Sequence, residues 1–167
     1  RSLALGASSG WLDGRQNYSS LVRFAIFQSE GGPVPDRAVV VSARLSVYKS
    51  NEYDITWALH RMLVGWSEAQ ATWNQRVAGT AWGAAGANAA GVDHVAAPDA
   101  TASVGWAPGW AQFDLTASVQ AMSDGNVPNH GWRMRALSGY VSALKRLHSS
   151  EYAADPTLRP KLEITYR

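Results

Sequence analysis

The side chains that could act as nucleophiles or metal ligands are few and widely spaced in this chain. Cysteine is absent, which excludes disulfides and thiolate metal sites. A G-x-S-x-G pattern surrounds Ser8, but that motif requires a strand, a sharp turn and a helix, and the residues after it are typical of a loop. No close pair with metal-ligand spacing occurs among the histidines, which are His60, His94, His130 and His148. The sequence therefore predicts a glycine/serine turn at Ser8, not a catalytic nucleophile.

Among enzymatic activities, polysaccharide cleavage is the one with most support in the sequence. A lyase on a β-sandwich needs a Tyr/His pair beside a cation that neutralises a uronate carboxylate, and Tyr140 with His148 is the pair available. Lyase-type motifs such as Q-I-H or R-x-E-x-R do not occur in the chain. No two carboxylates at short spacing indicate a glycosidase, although such carboxylates can also meet from distant parts of a chain. Catalysis is therefore the least favoured function, and the chain is expected not to be an enzyme.

Recognition has a stronger basis, because the chain contains eight tryptophans and six tyrosines. Flat aromatic rings can stack on the apolar C–H faces of sugars. Most tryptophans in a small domain are nevertheless buried, so roughly two of the eight are expected to be exposed. Trp66 and Trp73, in the stretch GWSEAQATWNQR, are predicted to be buried corner residues. Stacking is then expected from the later tryptophans, Trp82, Trp106 and Trp110.

Basic residues near the end of the chain are the first candidates for ligand contact. In the alternating stretch WRMR, Trp132 and Met134 point one way and the two arginines point the other. In the stretch LKRLHSSE, Leu147 is expected to point inward. If the two stretches pair as a hairpin, their outward side chains form a patch made of Arg133, Arg135, Arg146 and His148, with Lys145 and Tyr140 nearby. Guanidinium groups would bind uronate carboxylates through charge-assisted hydrogen bonds. The alternative is an ordinary solvated face.

The composition is that of a folded domain with few charges. The 167 residues suit one domain, predicted over 1–167, and charged residues make up only 17%. Fifteen lysines and arginines against thirteen acidic residues leave a net charge of +2, which is too small for general nucleic-acid binding. No stretch approaches the roughly 18 apolar residues of a membrane-spanning helix. Neither nucleic acid nor a membrane span is therefore expected.

Hydrophobic residues alternate with period two, which predicts strands. Six stretches show the pattern: residues 20–27, 42–49, 54–63, 131–137, 142–150 and 161–167. Gly/Pro/Asn/Asp-rich turns separate them, so the predicted fold is all-β, a jelly-roll-like β-sandwich of two antiparallel sheets. Two short helical turns are predicted, one capped by Ser67 and one by Thr116, the latter with Val119 and Met122 on one face and Gly125 as its stop. Residues 79–109 are rich in Ala and Gly and are predicted to be one long loop.

Seven motifs occur in order along nearly the whole chain. They are NYSSLVRFAI, VSARLSVY, LHRMLVGWSEAQATWN, FDLTASVQAM, PNHGWRMR, LHSSEY and RPKLEITY. Together they resemble the DNRLRE, or disaggregatase-related, domain family. Two departures from its pattern are present: Ala25 replaces an acidic residue, and the family's usual opening strand is missing before LALG.

The resemblance implies a jelly-roll-like sandwich from a secreted or cell-surface protein with covalently linked neighbouring domains. Some members are classed as carbohydrate-binding modules attached to polysaccharide lyases, with alginate-type polyuronate as ligand. Glu68, Asn74 and Glu151 recur in the family motifs and are expected to bridge loops by buried hydrogen bonds; a structural calcium site is the less favoured alternative, and no other cofactor is expected.

The expected function is therefore non-catalytic binding of an acidic polysaccharide, which would target an attached degrading enzyme. A structural or adhesive module of a surface protein is the second hypothesis, and a polysaccharide lyase is the third.

Overall fold

The computed structural model describes residues 19–139 and 147–167. Within these residues the strands are β1 (Ser20–Val22), β2 (Val40–Lys49), β3 (Ile55–Arg61), β4 (Gln75–Val77), β5 (Thr80–Ala81), β6 (Ala100–Val104), β7 (Gly109–Asp114), β8 (Trp132–Gly139) and β9 (Lys161–Tyr166). One α-helix, α1 (Thr116–Ser123), and two short 3-10 helices, Gln28–Glu30 and Pro156–Leu158, complete the described elements. No helix in the described residues is long and apolar enough to cross a membrane.

Two antiparallel sheets form the framework. A four-stranded sheet has the order β1-β8-β3-β6, and a three-stranded sheet has the order β7-β2-β9. A small ribbon of β4 and β5 lies apart from them in the pairing. The predicted all-β sandwich of antiparallel sheets with one or two short helices is confirmed, with α1 as its one α-helix in the described residues.

The core lies between the inner faces of the two sheets. From the three-stranded sheet, Leu45, Val47 and Phe113 enter the core, and from the four-stranded sheet Trp57 and Trp132 do so. Ala43, Leu45 and Val47 point inward as their alternation predicts. Because neighbours in a strand face opposite sides, the residues between these core positions lie on the outer faces, where any ligand site on a sheet must be.

Residues 79–109 are not one continuous loop, contrary to the sequence prediction. They contain β6, and every residue of β6 pairs with a residue of β3. The inward side chains of β6 are Ala100, Ala102 and Val104, of which two are too small to give a clear hydrophobic alternation. Residues 105–108 then connect β6, at the edge of one sheet, directly to β7 in the other.

The two predicted helical turns have different outcomes. Helix α1 is present, Val119 and Met122 are buried on one side of it, and Gly125 follows it with a φ of 76°. Leu115 occupies the N-cap position, while the Thr116 hydroxyl accepts a hydrogen bond from the Ala43 N–H. The stretch beginning at Ser67 forms only a hydrogen-bonded turn.

A second apolar cluster covers part of the outer face of the four-stranded sheet. It consists of Leu21, Met62, Trp66, Trp82 and Ala87. The Trp66 indole N–H donates to the His130 carbonyl over 2.8 Å, so the predicted buried corner is confirmed for Trp66. Trp73 is half-buried, and its ring packs so closely on Gly86 that an added Cβ would lie 2.4 Å from it.

Candidate functional site: an aromatic platform on the three-stranded sheet

Arg133, the first residue of the predicted basic patch, is buried. It points away from Trp132 as expected, but only 1% of its surface is exposed. The segment that contains Gly86, Asn88 and His94 lies over this part of the four-stranded sheet and covers it. The predicted exposure of Arg133 is therefore wrong, because the sequence did not show which residues would cover the outer face.

The guanidinium of Arg133 is held by hydrogen bonds within the protein. Its Nε donates to Ser19 Oγ over 3.0 Å and to the Gly86 carbonyl over 3.3 Å, and Nη2 donates to Asn88 Oδ1. Its Nη1 lies 3.4 Å from His94 Nε2. Burial lowers the pKa of Arg133 to about 10, which still leaves it charged at neutral pH. These contacts hold a loop on the sheet, which is a structural role.

Within the described residues, the predicted pairing of the two basic stretches as a hairpin is also wrong. Leu147 pairs with Lys49, and the His148 N–H donates to the Tyr48 carbonyl over 3.1 Å, so both residues extend the three-stranded sheet. Arg135 is exposed on the four-stranded sheet. Arg135 and His148 therefore lie on different sheets. Tyr140, Lys145 and Arg146 lie outside the described residues, and so does Ser8.

Four aromatic side chains instead come together at one end of the three-stranded sheet. Tyr48 and Trp110 meet edge to face with ring centroids 5.3 Å apart. The His148 ring lies 5.2 Å from that of Tyr48 and stacks on Tyr152 at 3.7 Å with an interplanar angle of 26°. All four are half-buried. We call Tyr48, Trp110, His148 and Tyr152 the aromatic platform.

Strand register explains why the platform forms. Tyr48 and Trp110 are directly paired across β2 and β7, and their neighbours Val47 and Ala111 are core residues. Since side chains alternate between faces, both rings must lie on the outer face. The bond from the His148 N–H to the Tyr48 carbonyl then places the imidazole beside the Tyr48 ring.

Charged residues of both signs lie next to the platform. Lys161 Nζ is 5.5 Å from the Trp110 ring centroid and 3.7 Å from Glu163 Oε2. Further along the same face, Arg44 is paired in register with both Asp114 and Glu163. Hydrogen bonds from Thr116, helped by the charge of Arg44, lower the pKa of Asp114, which keeps it ionised. The paired strands thus carry two cations and two anions on this face, and Lys161 is the one placed over the Trp110 ring.

The polar residues expected to tie loops together are at the surface. Glu68, Asn74 and Glu151 are all exposed, so the buried role predicted for them is wrong. Glu151 Oε1 accepts from the neighbouring Ser150 hydroxyl. Among the described residues, no group of three or more His, Asp or Glu side chains has the arrangement of a metal site.

Part of the platform had a signal in the sequence. Alternation in SARLSVYK already directs Tyr48 outward, and the same pattern in GWAQFD directs Trp110 outward, although that strand was not predicted. His148 was a candidate, but with different neighbours. Tyr152 had no signal, because it lies in a turn whose position depends on the fold.

The chain matches no protein-family model and no curated protein. The resemblance to the DNRLRE family therefore stays a prediction, and the platform is interpreted from its geometry alone.

Proposed function

We propose that this protein is a non-catalytic carbohydrate-binding module that recognises a polysaccharide through the aromatic platform, with a preference for acidic sugars. The observation that carries the proposal is the position of Tyr48 and Trp110 on an outer sheet face beside Lys161. Sugar rings present apolar C–H patches that pack on aromatic faces, and their hydroxyls hydrogen-bond to polar groups nearby. The outer face offers Gln112, which is exposed and follows Trp110 on the same side of β7.

Rigidity favours binding at this position. The Trp110 ring is braced by the edge-to-face contact with Tyr48, and His148 is held between Tyr48 and Tyr152. A ring that is already fixed loses little conformational entropy when a ligand packs on it. Strands also hold such groups more accurately than loops do.

The acidic preference rests on Lys161. Its side chain is 51% exposed and is paired only loosely with Glu163, so its ammonium can turn to a uronate carboxylate. Asp114 and Glu163 flank Arg44 in the register, and their negative charges disfavour an acidic ligand at that position. We therefore expect a modest preference for acidic over neutral glycans, and one that weakens in salt.

Affinity electrophoresis tests the proposal, with alginate, pectate and a neutral glucan in separate gels. Retardation by at least one glycan is expected, with the acidic glycans stronger. No retardation by any of them would contradict carbohydrate binding, and would favour a structural or adhesive module. Ultraviolet absorbance of unsaturated uronates, measured on the same polysaccharides, separates binding from lyase activity. A steady rise in absorbance would contradict a non-catalytic role.

In this proposal the module acts outside the cell, as an accessory of a covalently linked polysaccharide-degrading domain. The support for this part is the order of motifs that resembles the DNRLRE family. Identification of the domains that flank these residues in the full-length protein tests it.

A further inference from the structure

Trp106 is the most exposed of the tryptophans in the described residues, with 62% of its surface accessible. It lies in the 105–108 connection, four positions before Trp110 of the platform. Trp66, Trp82 and Trp132 each donate their indole N–H to an acceptor inside the protein. Trp106 has no such acceptor among the described residues. A large apolar ring and its indole N–H are thus presented together to solvent, where one ligand can contact both.

The backbone that carries Trp106 is held by a buried lysine. Lys49, at the end of β2, is completely buried, and its Nζ donates to the carbonyls of Gly105 over 2.6 Å and Trp106 over 3.0 Å. A third bond, of 2.5 Å, goes to the Tyr53 carbonyl. Burial lowers the pKa of Lys49, but three carbonyl acceptors stabilise the charged form. An ammonium used in this way fixes the connection from inside.

Both ends of the connection are fixed as well. Val104 precedes it in the core, and Gly109 follows it in the β2–β7 ladder, paired with Lys49 itself. Pro108 restricts one more φ angle inside it. The ring of Trp106 is therefore carried by a short segment whose backbone is already fixed, so ordering this backbone on a ligand costs little entropy.

From this geometry we infer that Trp106 is a second sugar-stacking subsite, which extends the aromatic platform beyond the end of the three-stranded sheet. The inference rests on the proposed function and deepens it. Connection and platform meet at the same end of the sheet, where Lys49 and Tyr48 are consecutive residues of β2. The ligand class is then an extended glycan chain: one part packs on Trp110 and a further part on Trp106. A single sugar would contact only one of them.

Titration calorimetry with oligosaccharides of increasing length, cut from the polysaccharide that retards the wild-type protein best, tests the inference. For the wild-type protein, affinity should rise again once the oligosaccharide is long enough to reach Trp106. Trp106→Ala should bind short oligosaccharides normally and lose that second rise, with long ones bound about fivefold or more weaker. Trp106→Phe should keep part of the rise. Leu137→Ala is the control, since Leu137 is an exposed apolar residue on the other sheet.

The outcomes separate the two proposals. If Trp106→Ala matches the wild-type protein at every length while Trp110→Ala loses affinity, the second subsite is overturned and the platform stands. If Trp110→Ala also binds normally, or the wild-type protein binds no oligosaccharide, the proposed function fails and the inference fails with it.

Discussion

Lys161 Nζ lies 5.5 Å from the ring centroid of Trp110, although the two residues belong to strands on opposite sides of β2. The side chain of Lys161 therefore crosses the middle strand, and Ser46, its partner on β2, is completely buried. A cation and an aromatic ring are brought together where a sugar ring and its carboxylate would both be contacted. Substitutions of the ring and of the cation separate these two contributions.

Replacing Trp110 by alanine should weaken glycan binding by about 2 kcal/mol, or roughly thirtyfold in Kd, because buried aromatic anchors dominate binding energy. Calorimetry with the best polysaccharide measures the change. Tyr166→Ala is a matched control, since Tyr166 is an exposed aromatic residue of β9 whose hydroxyl faces Pro33. Equal losses in the two variants would show that the platform is not the binding surface.

Replacing Lys161 by glutamine should lower affinity for acidic glycans about two- to fivefold and leave neutral glycans unaffected, as exposed charge pairs contribute about 0.2–1 kcal/mol. The salt dependence of binding should fall with it. Arg135→Gln, which removes an exposed charge from the other sheet, is the control. If Arg135→Gln has the larger effect, acidic sugars are recognised on the four-stranded sheet.

Arg133 should matter for stability and not directly for binding. Arg133→Ala leaves Asn88 Oδ1 and the Gly86 carbonyl without their donor and opens a cavity, so the free energy of unfolding should fall by about 3 kcal/mol. Arg135→Ala, at an exposed neighbouring position, should change it by about 0.5 kcal/mol or less. Urea unfolding measures both variants. Similar stabilities would mean that the bonds of Arg133 contribute little to folding.

Acid should destabilise the fold through two neighbouring histidines. Burial lowers the pKa of both His60 and His94, and the charge of Arg133 lowers it further. The hydrogen bond of each ring to the Val95 carbonyl, and more weakly Asp99 or Asp93, act in the opposite direction without reversing the shift. The unfolded chain has histidine pKa values of about 6.5, so below that pH it binds protons that the folded chain does not. The free energy of unfolding should therefore be highest above about pH 7 and fall as the pH is lowered through 6.5.

The hydrogen bonds at His94 explain this direction. Its Nδ1 lies 2.7 Å from the Val95 carbonyl and acts as donor, which leaves Nε2 to accept from Arg133. A second proton, on Nε2 of His94, would place that N–H against the N–H of the Arg133 guanidinium. Urea unfolding at about pH 8 and about pH 5 measures the effect, a range that lies above the titration of ordinary carboxylates. In His94→Asn the difference between the two pH values should shrink, and an unchanged difference would assign the effect to other groups, such as His130.

The sandwich could be predicted from the sequence because its strands alternate clearly. Period-two alternation alone predicts that Leu45 and Val47 share one face of β2 and that Trp132 and Met134 share one face of β8, and all four are in the core. β6 escaped prediction because Ala100 and Ala102 are small, and their burial is decided by the pairing with β3. Alanines differ too little in hydrophobicity from the polar residues between them for the sequence pattern to predict this strand.

The site could be predicted only in part, because it depends on contacts between distant segments. The outward direction of Arg133 was correct, but its burial depends on Gly86 and Asn88, which are more than forty positions away. His148 was a candidate, yet its partner Tyr48 is a hundred positions earlier. Alternation tells which side of a strand a residue takes, and says nothing about which strand lies beside it.

Chemical labelling of Lys49 can report local opening of the fold. The chain contains no cysteine, and the amine of Lys49 is enclosed at the corner where β6 passes into β7. An amine-reactive reagent should label the exposed Lys161 at once and reach Lys49 only when that corner opens. The rate of Lys49 labelling therefore measures how often this corner opens, in the unmodified protein and without any introduced probe.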